Sequence, residues 1–412
     1  MTRIKAQNLA PAGHDKIAWV KAYMPLLNAI EKDFVTTMPF SGLKIAISIH
    51  LEAKTAYLTQ VLRAGGAQVA VTGCNPLSTQ DDVAAALAEN GIAVHAVHGA
   101  SEAEYKSDLL DTLAIKPHLI IDDGGDFTSL LHNDYCDLSA DLFGGCEETT
   151  TGIMRLKTLA KSGELLCPMI AVNDADCKHL FDNRYGTGQS TMTAIMAVTN
   201  LSIASRTVVI AGYGWCGRGI ALRARGMGAN IIVTEINPIK AIEAVMDGFR
   251  VMTMDEAAVC GDVFITATGC CDVITARHFE CMKDGALLAN SGHFDVEISK
   301  PDLKLLATQI SQRKPDICGY TLKNGKTLNL VAEGRLVNLA AGMGHPVEIM
   351  DMSFAIQARC LEYLAKHGNK LSKNLHNVPR EIDQNIAFAK LATMKIDIDK
   401  LSIEQEKYYY NS

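Results

Sequence analysis

Apolar residues along this chain gather in short runs, and stretches of helical spacing separate the runs. Gly42-Leu-Lys-Ile-Ala-Ile47 reads as a buried strand, and a helix pattern follows it. Ala64-Gly-Gly-Ala67 and a second strand, Gln68-Val-Ala-Val-Thr72, come next. The same rhythm recurs over residues 207–235: the strand Thr207–Ala211, a turn, a helix, Gly226-Met-Gly-Ala229, and a strand running into Glu235. Each stretch is a βαβ unit. Further apolar runs follow each unit, at Ala93–Val97 and His118–Asp122, then at Val263–Thr266 and Ala286–Asn290. The pattern predicts an α/β protein with two open parallel sheets, hence two doubly wound, Rossmann-like domains. The break between them is expected near residues 186–205, in a helix beginning around Gln189-Ser190. From about residue 345 the spacing is mostly helical, and the chain ends in the polar stretch Glu404–Ser412.

Composition narrows this picture. A chain of 412 residues, 48% of them hydrophobic, suits two or three domains with large cores. The net charge of −7, with no basic stripe, argues against a nucleic-acid surface. No apolar run approaches the roughly 18 residues of a membrane span, and the first residues lack the apolar core of a signal peptide. The twelve cysteines form no C-x-x-C pair. They are expected to be reduced, mostly buried thiols of a cytoplasmic protein, with no structural metal.

Gly212-Tyr-Gly-Trp-Cys-Gly217 follows a strand and opens a helix. Gly212, Gly214 and Gly217 permit a tight turn and bring backbone N–H groups close to a pyrophosphate at the helix N-terminus. Glu235 ends the next strand, 23 residues after Gly212, where it suits a ribose 2′-hydroxyl. A carboxylate there repels a 2′-phosphate, so the expected cofactor is NAD. In the first unit His50, Glu52 and Lys54 stand where strand gives way to helix, the place where such sheets hold ligands.

Six further segments complete a recognisable set: Asp122-Asp-Gly-Gly-Asp126, Glu147-Glu-Thr-Thr-Thr-Gly152, Val172-Asn-Asp-Ala-Asp-Cys-Lys178 with Phe181-Asp-Asn183, Gly292-His-Phe-Asp-Val-Glu297, Ala332–Asn338 and Met343-Gly-His-Pro346. From about residue 40 to 405 the chain resembles the S-adenosyl-L-homocysteine hydrolase family, in one unbroken order. The resemblance implies a substrate-binding domain over residues 1–188 and 343–378, an NAD domain over 189–342 inserted into it, and a C-terminal dimerisation tail over 379–412. It also implies one tightly bound NAD per protomer, and a homotetramer.

The chemistry implied is hydrolysis by way of a transient oxidation. Oxidising the 3′-hydroxyl of the nucleoside makes the C4′ hydrogen acidic. Homocysteine then leaves from C5′ by elimination, water adds, and the ketone is reduced again. By resemblance, Lys178 and Asp182 work at the 3′-hydroxyl, Asp123 near C4′, and His50 and His293 around C5′ and the 3′ side. Glu148 holds the ribose hydroxyls. Glu52, Lys54, Thr55, Met343, His345 and Met350 line the rest of the substrate pocket. Thr149, Thr150, Thr151, Asn183 and Asn338 orient the nicotinamide and its ribose. Trp215, Cys216, Lys240, Thr268, Ser291 and Gly292, with His293, complete the cofactor site. Taken singly these motifs have plainer readings: an Asp-Gly turn, a threonine helix cap, an i,i+4 ion pair. Their joint order carries the resemblance.

Several positions depart from the family pattern. Glu52 and Lys54 stand where most members carry threonine and a glutamate or glutamine against the adenine edge. Adenine offers an acceptor at N1 and a donor at its amine. An ionised Glu52 only accepts and Lys54 only donates. Hypoxanthine, with N1–H and O6, matches that reversed order, so S-inosyl-L-homocysteine is the expected substrate and S-adenosyl-L-homocysteine the alternative. The competing arrangement is a Glu52–Lys54 pair across the helix start, which leaves the base edge to backbone groups. The family's terminal lysine and tyrosine are missing, Lys240 replaces an asparagine, and Thr187 replaces a cysteine.

Overall fold

The computed structural model describes residues 2–410 and contains two sheets. The strands β1 (Lys44–Ser48), β2 (Gln68–Thr72), β3 (Ala93–His95), β4 (Leu119–Asp122), β5 (Gly144–Glu147) and β6 (Met169–Ala171) belong to the first. The second is built from β7 (Thr207–Ala211), β8 (Asn230–Thr234), β9 (Arg250–Val251), β10 (Val263–Thr266), β11 (Leu287–Asn290), β12 (Ala307–Lys314), β13 (Ile317–Leu322) and β14 (Thr327–Val331). A last strand, β15 (Leu375–Asn377), returns to the first sheet beside β6, giving the order β15-β6-β5-β4-β1-β2-β3. All its pairings are parallel; Ile45 lies opposite Val69 and Leu119.

Both faces of each sheet are covered, which explains why the strands read as continuous apolar runs. In the second sheet Val208 and Ile210 point into one core while Val209 and Phe264 point into another. In the first, Ile45 and Ile47 face one core, and Ala46 and Ile120 the other.

The second sheet departs from the expected all-parallel arrangement at one end. β13 runs antiparallel to both β12 and β14. The cause is local: Asn324-Gly325 sits between β13 and β14, with Gly325 at φ 83°, which closes a tight hairpin. β12 forms the outer edge and is largely exposed.

The helix Thr187–Thr199 joins the sheets and begins two residues before the expected start. A π-helix over His179–Gly186 runs directly into it. A Cβ on Gly188 would lie 2.4 Å from the Gly219 carbonyl oxygen, so this helix and the helix Trp215–Gly226 cross in backbone contact.

All twelve cysteines are free thiols, but only five are buried. Cys136, Cys270, Cys271 and Cys281 are exposed. The expectation of mostly buried thiols is corrected accordingly. Of the tail, Ile403–Tyr410 is helical, and Asn411 and Ser412 lie outside the described residues. Among the described residues no helix is long and apolar enough to cross a membrane.

Candidate active site

The C-terminal ends of β1, β4, β5 and β6 face the loop after β11 and the start of the helix Val347–His367. Eight ionisable side chains meet there: His50, Cys74, Asp123, Glu148, Lys178, Asp182, His293 and His345.

Lys178 is the hub. Its ammonium lies 3.4 Å from both Glu148 and Asp182 and donates to Asn183 Oδ1 at 2.8 Å. The π-helix sets this geometry, because its wider turn carries Asp182 and Asn183 round to the Lys178 side. Asn183 donates to Asn173 Oδ1 (3.0 Å), and the Asn173 amide in turn donates to Thr150 (3.1 Å). Burial alone would lower the Lys178 pKa, but the Asp182 and Glu148 carboxylates outweigh it and the group is raised. Burial works against the Asp182 carboxylate too. Lys178 and His345 prevail there, and Asp182 stays well below the usual carboxylate range. His345 donates to Asp182 across 2.7 Å, as does the Ser353 hydroxyl.

Glu148 behaves differently. Burial pushes it up to about 7, with Lys178 opposing, and Gln357 donates to it at 2.5 Å. For a carboxylate raised above its ordinary 4.5, the protonated form favours folding. That contribution is complete below pH 4.5 and is lost as pH rises through 7. Acceptance of ligand hydroxyls needs the ionised form and follows the opposite trend. We expect kcat/KM to rise through pH 7 while stability falls, and Glu148→Gln to abolish the rise. Rate profiles between about pH 5.5 and 8.5 check this, and an unchanged inflection in the variant would exclude Glu148 as its source.

Asp123 lies at the end of β4 on a turn that needs glycine. Gly124 and Gly125 have φ of 98° and 81°, and a Cβ on Gly124 would come within 2.6 Å of His293 Nε2. Asp122 ties the following turn by accepting from the backbone and hydroxyl of Thr128. Glu147 does the same from β5, accepting from the N–H groups of Gly124 and Thr149. Asp123 itself faces three groups: the Cys74 thiol donates to it at 3.1 Å, His50 stands 3.7 Å away, and His293 3.9 Å away on its other oxygen. Burial pushes the His50 pKa down to about 4, against the pull of Asp123, so His50 is neutral at neutral pH.

At the glycine-rich turn Gly212 has φ 93°, and a Cβ on Gly217 would stand 1.9 Å from the Gly212 carbonyl oxygen. The space over Gly214 is open as far as Lys240 Nζ, 4.0 Å from its Cβ position. Glu235 accepts from the N–H groups of Tyr213, Ile236 and Asn237, which fixes its carboxylate beside this turn. The arrangement fits a dinucleotide. Gly217→Ala is expected to yield protein purified with substoichiometric NAD, measured after heat release; a full complement would refute the fit.

The other cofactor-side residues are placed unequally. Cys216 contacts Thr187 (3.6 Å), Ser291 contacts Thr191 (2.7 Å), Asn338 donates to Ser190 (2.9 Å), and Gly292 is fixed by the Asn290 side chain. Thr149 caps the helix Thr150–Ser162, at whose start Thr150 and Thr151 sit. Thr268 donates to Glu297 and is exposed. Trp215 stacks on His179 at 5.0 Å, and Lys240 is exposed at the rim. On the substrate side Met350 is buried, Thr55 bonds the His50 carbonyl, and Met343 is largely exposed.

Glu52 and Lys54 differ from the sequence expectation. Glu52 caps its own helix by accepting from the Lys54 N–H, and the Lys54 ammonium stands 2.8 Å from the same Glu52 oxygen. Both are buried and they pair with each other. The reason is distance: two residues apart at a helix start, they meet without help. Lys54 also donates to the Met343 carbonyl at 3.3 Å, which ties the pair to the connection after the second sheet.

Sequence reasoning missed Cys74, Ser78, Glu147, Asn173, Ser353 and Gln357. Cys74 and Ser78 follow β2, whose C-terminal end was itself a signal. Ser353 and Gln357 come from a helix remote in sequence and carried none. Four buried polar atoms of the site have no hydrogen-bond partner among the described residues: Asp123 Oδ1, Glu147 Oε2, Asn338 Oδ1 and Gln357 Oε1. Buried orphans of this kind are rare, and their concentration here marks a place for ligand groups.

Comparison with known proteins agrees with this geometry. A family model described as "S-adenosyl-L-homocysteine hydrolase" matches residues 2–137, and one described as "S-adenosyl-L-homocysteine hydrolase, NAD binding domain" matches residues 183–344. The "Adenosylhomocysteinase" of Thermococcus kodakarensis is 54% identical, over 98% of this chain and 96% of its own. The "S-inosyl-L-homocysteine hydrolase" of Methanocaldococcus jannaschii is also 54% identical, over 99% and 98%. The crystal structure of a dipicolinate synthase chain from Bacillus halodurans shares the fold, with a TM-score of 0.50 at 14% identity over 79% of this chain and 99% of its own.

Proposed function

The chain belongs to the S-adenosyl-L-homocysteine hydrolase family, an NAD-dependent hydrolase of thioethers, and we propose S-inosyl-L-homocysteine as its preferred substrate. The observation that carries the preference is the buried Glu52–Lys54 pair. Lys54 contacts one Glu52 oxygen, and nothing among the described residues donates to the other. The pair therefore still offers an acceptor beside a donor, the order that hypoxanthine matches and adenine opposes. The relatives alone do not choose, since both names occur at 54% identity. Comparing kcat/KM for the two thioethers tests the reading. A preference for the adenosyl compound overturns it and leaves the family activity standing.

We assign the residues as follows. Bound NAD supplies a reversible acceptor for one hydride from the sugar. Lys178, fixed by Asn183 and flanked by two carboxylates, moves the proton of the 3′-hydroxyl. Asp182 holds Lys178 and is held by His345. Asp123, with one oxygen free of hydrogen bonds among the described residues, takes the C4′ proton. His50 rests neutral, so it accepts a proton before it gives one. That suits activation of the incoming water better than protonation of the leaving thiolate. Glu148 and Gln357 receive the ribose hydroxyls. Gly344-His345-Pro346 closes the pocket against water while the ketone exists.

The domain division expected from sequence is supported by β15, which brings the chain back to the first sheet after residue 342. A homotetramer in the cytoplasm remains our reading. The exposed Ile396, Ile398, Leu401 and Ile403 near the C-terminus support an assembling surface.

A further inference from the structure

Three potential metal ligands converge at the ends of β1, β2 and β4. His50, Cys74 and Asp123 each present one donor atom, and the three atoms lie within 4.8 Å of one another. Sγ of Cys74 is 3.1 Å from Asp123 Oδ2, and His50 Nε2 is 3.7 Å from that oxygen. A tetrahedral zinc ion, with bonds of about 2.3 Å to sulfur and about 2.0–2.2 Å to nitrogen and oxygen, spaces its donors roughly 3.3–3.6 Å apart. The site is therefore close to the spacing such an ion needs. Ser78 Oγ bonds His50 Nδ1 at 2.6 Å, which leaves Nε2 directed at Asp123. An outer partner of this kind is what a ligating imidazole requires. Cys74 and Asp123 are buried, and Asp123 Oδ1 has no hydrogen-bond partner among the described residues.

We propose that His50, Cys74 and Asp123 form a site for a thiophilic divalent cation such as Zn²⁺, and that its occupation reversibly blocks hydrolysis. Binding replaces the Cys74 S–H bond with a metal–sulfur bond and releases that proton to solvent; nothing is oxidised or reduced. Water fills the fourth position. The site lay outside the sequence expectation because its ligands come from three separate strand ends rather than one spaced motif. The blocking effect rests on the proposed placement of His50 and Asp123 at the reacting sugar, whereas binding does not.

The test uses NAD-loaded protein titrated with Co²⁺. A sulfur-to-cobalt charge-transfer band is expected at one equivalent, with competition by Zn²⁺. Cys74→Ser and Cys74→Ala, checked for folding by thermal unfolding, should lose it. In the same variants the Zn²⁺ concentration for half-inhibition should rise by at least the roughly 10–100-fold that an outer partner alone costs. A band at full amplitude in both folded variants, or equal zinc sensitivity, overturns the proposal. A Cys74-dependent band with hydrolysis untouched by zinc in the unsubstituted protein keeps the metal site, overturns the block, and removes His50 and Asp123 from the reacting sugar.

Discussion

Replacing Lys178 with methionine should lower kcat by roughly 10²–10⁴-fold, the usual share of one positioned proton-transfer group. The ammonium is the only cation within 4 Å of both Glu148 and Asp182 among the described residues. Its loss also strands buried charge, and breaking a buried pair costs about 3–5 kcal/mol. Most of that cost falls on Asp182, because Glu148, already near 7, takes up a proton instead. Lys178→Arg separates the two effects. A guanidinium keeps the charge and does not give up its proton, so melting temperature should recover while hydrolysis stays low. Measured homocysteine release and thermal unfolding decide the matter. An arginine variant with near-normal turnover would remove Lys178 from proton transfer.

The second large effect concerns the base. The natural chain should favour the inosyl over the adenosyl thioether by roughly 10²–10⁴-fold in kcat/KM. Each mismatched buried polar contact costs about 1–3 kcal/mol, and adenine meets two. Glu52→Thr with Lys54→Gln should reverse the order, since glutamine offers both a donor and an acceptor and threonine a hydroxyl. The two substitutions belong together: removing one partner leaves the other charge buried and alone. If the double variant keeps the original order, the base edge is read elsewhere.

Much of this was legible in the chain. Buried parallel strands are nearly pure apolar runs, so β1, β2, β7 and β8 stood out, and the Gly212–Gly217 turn with Glu235 followed from them. The antiparallel β13 was missed although Asn324-Gly325 announces its hairpin, because its neighbour β12 is an exposed edge without a strong pattern. β15 is three residues long and pairs with β6 some 200 positions away, a contact that no local pattern records. The π-helix at His179–Gly186 was illegible for another reason: one widened turn changes which side chains share a face without changing composition. The plainer reading of Lys178 and Asp182 is an i,i+4 pair; the widened turn also brings Asn183 to the same ammonium.

Gly124 carries a consequence for how the halves of such proteins can be exchanged. Its missing side chain is the space in which His293, borne by the other sheet, rests. A chimera that joins the first half of this chain to a relative's second half must therefore preserve a bare α-carbon opposite an imidazole. Shuffled libraries should show these two positions inherited as a unit, even where everything around them recombines freely.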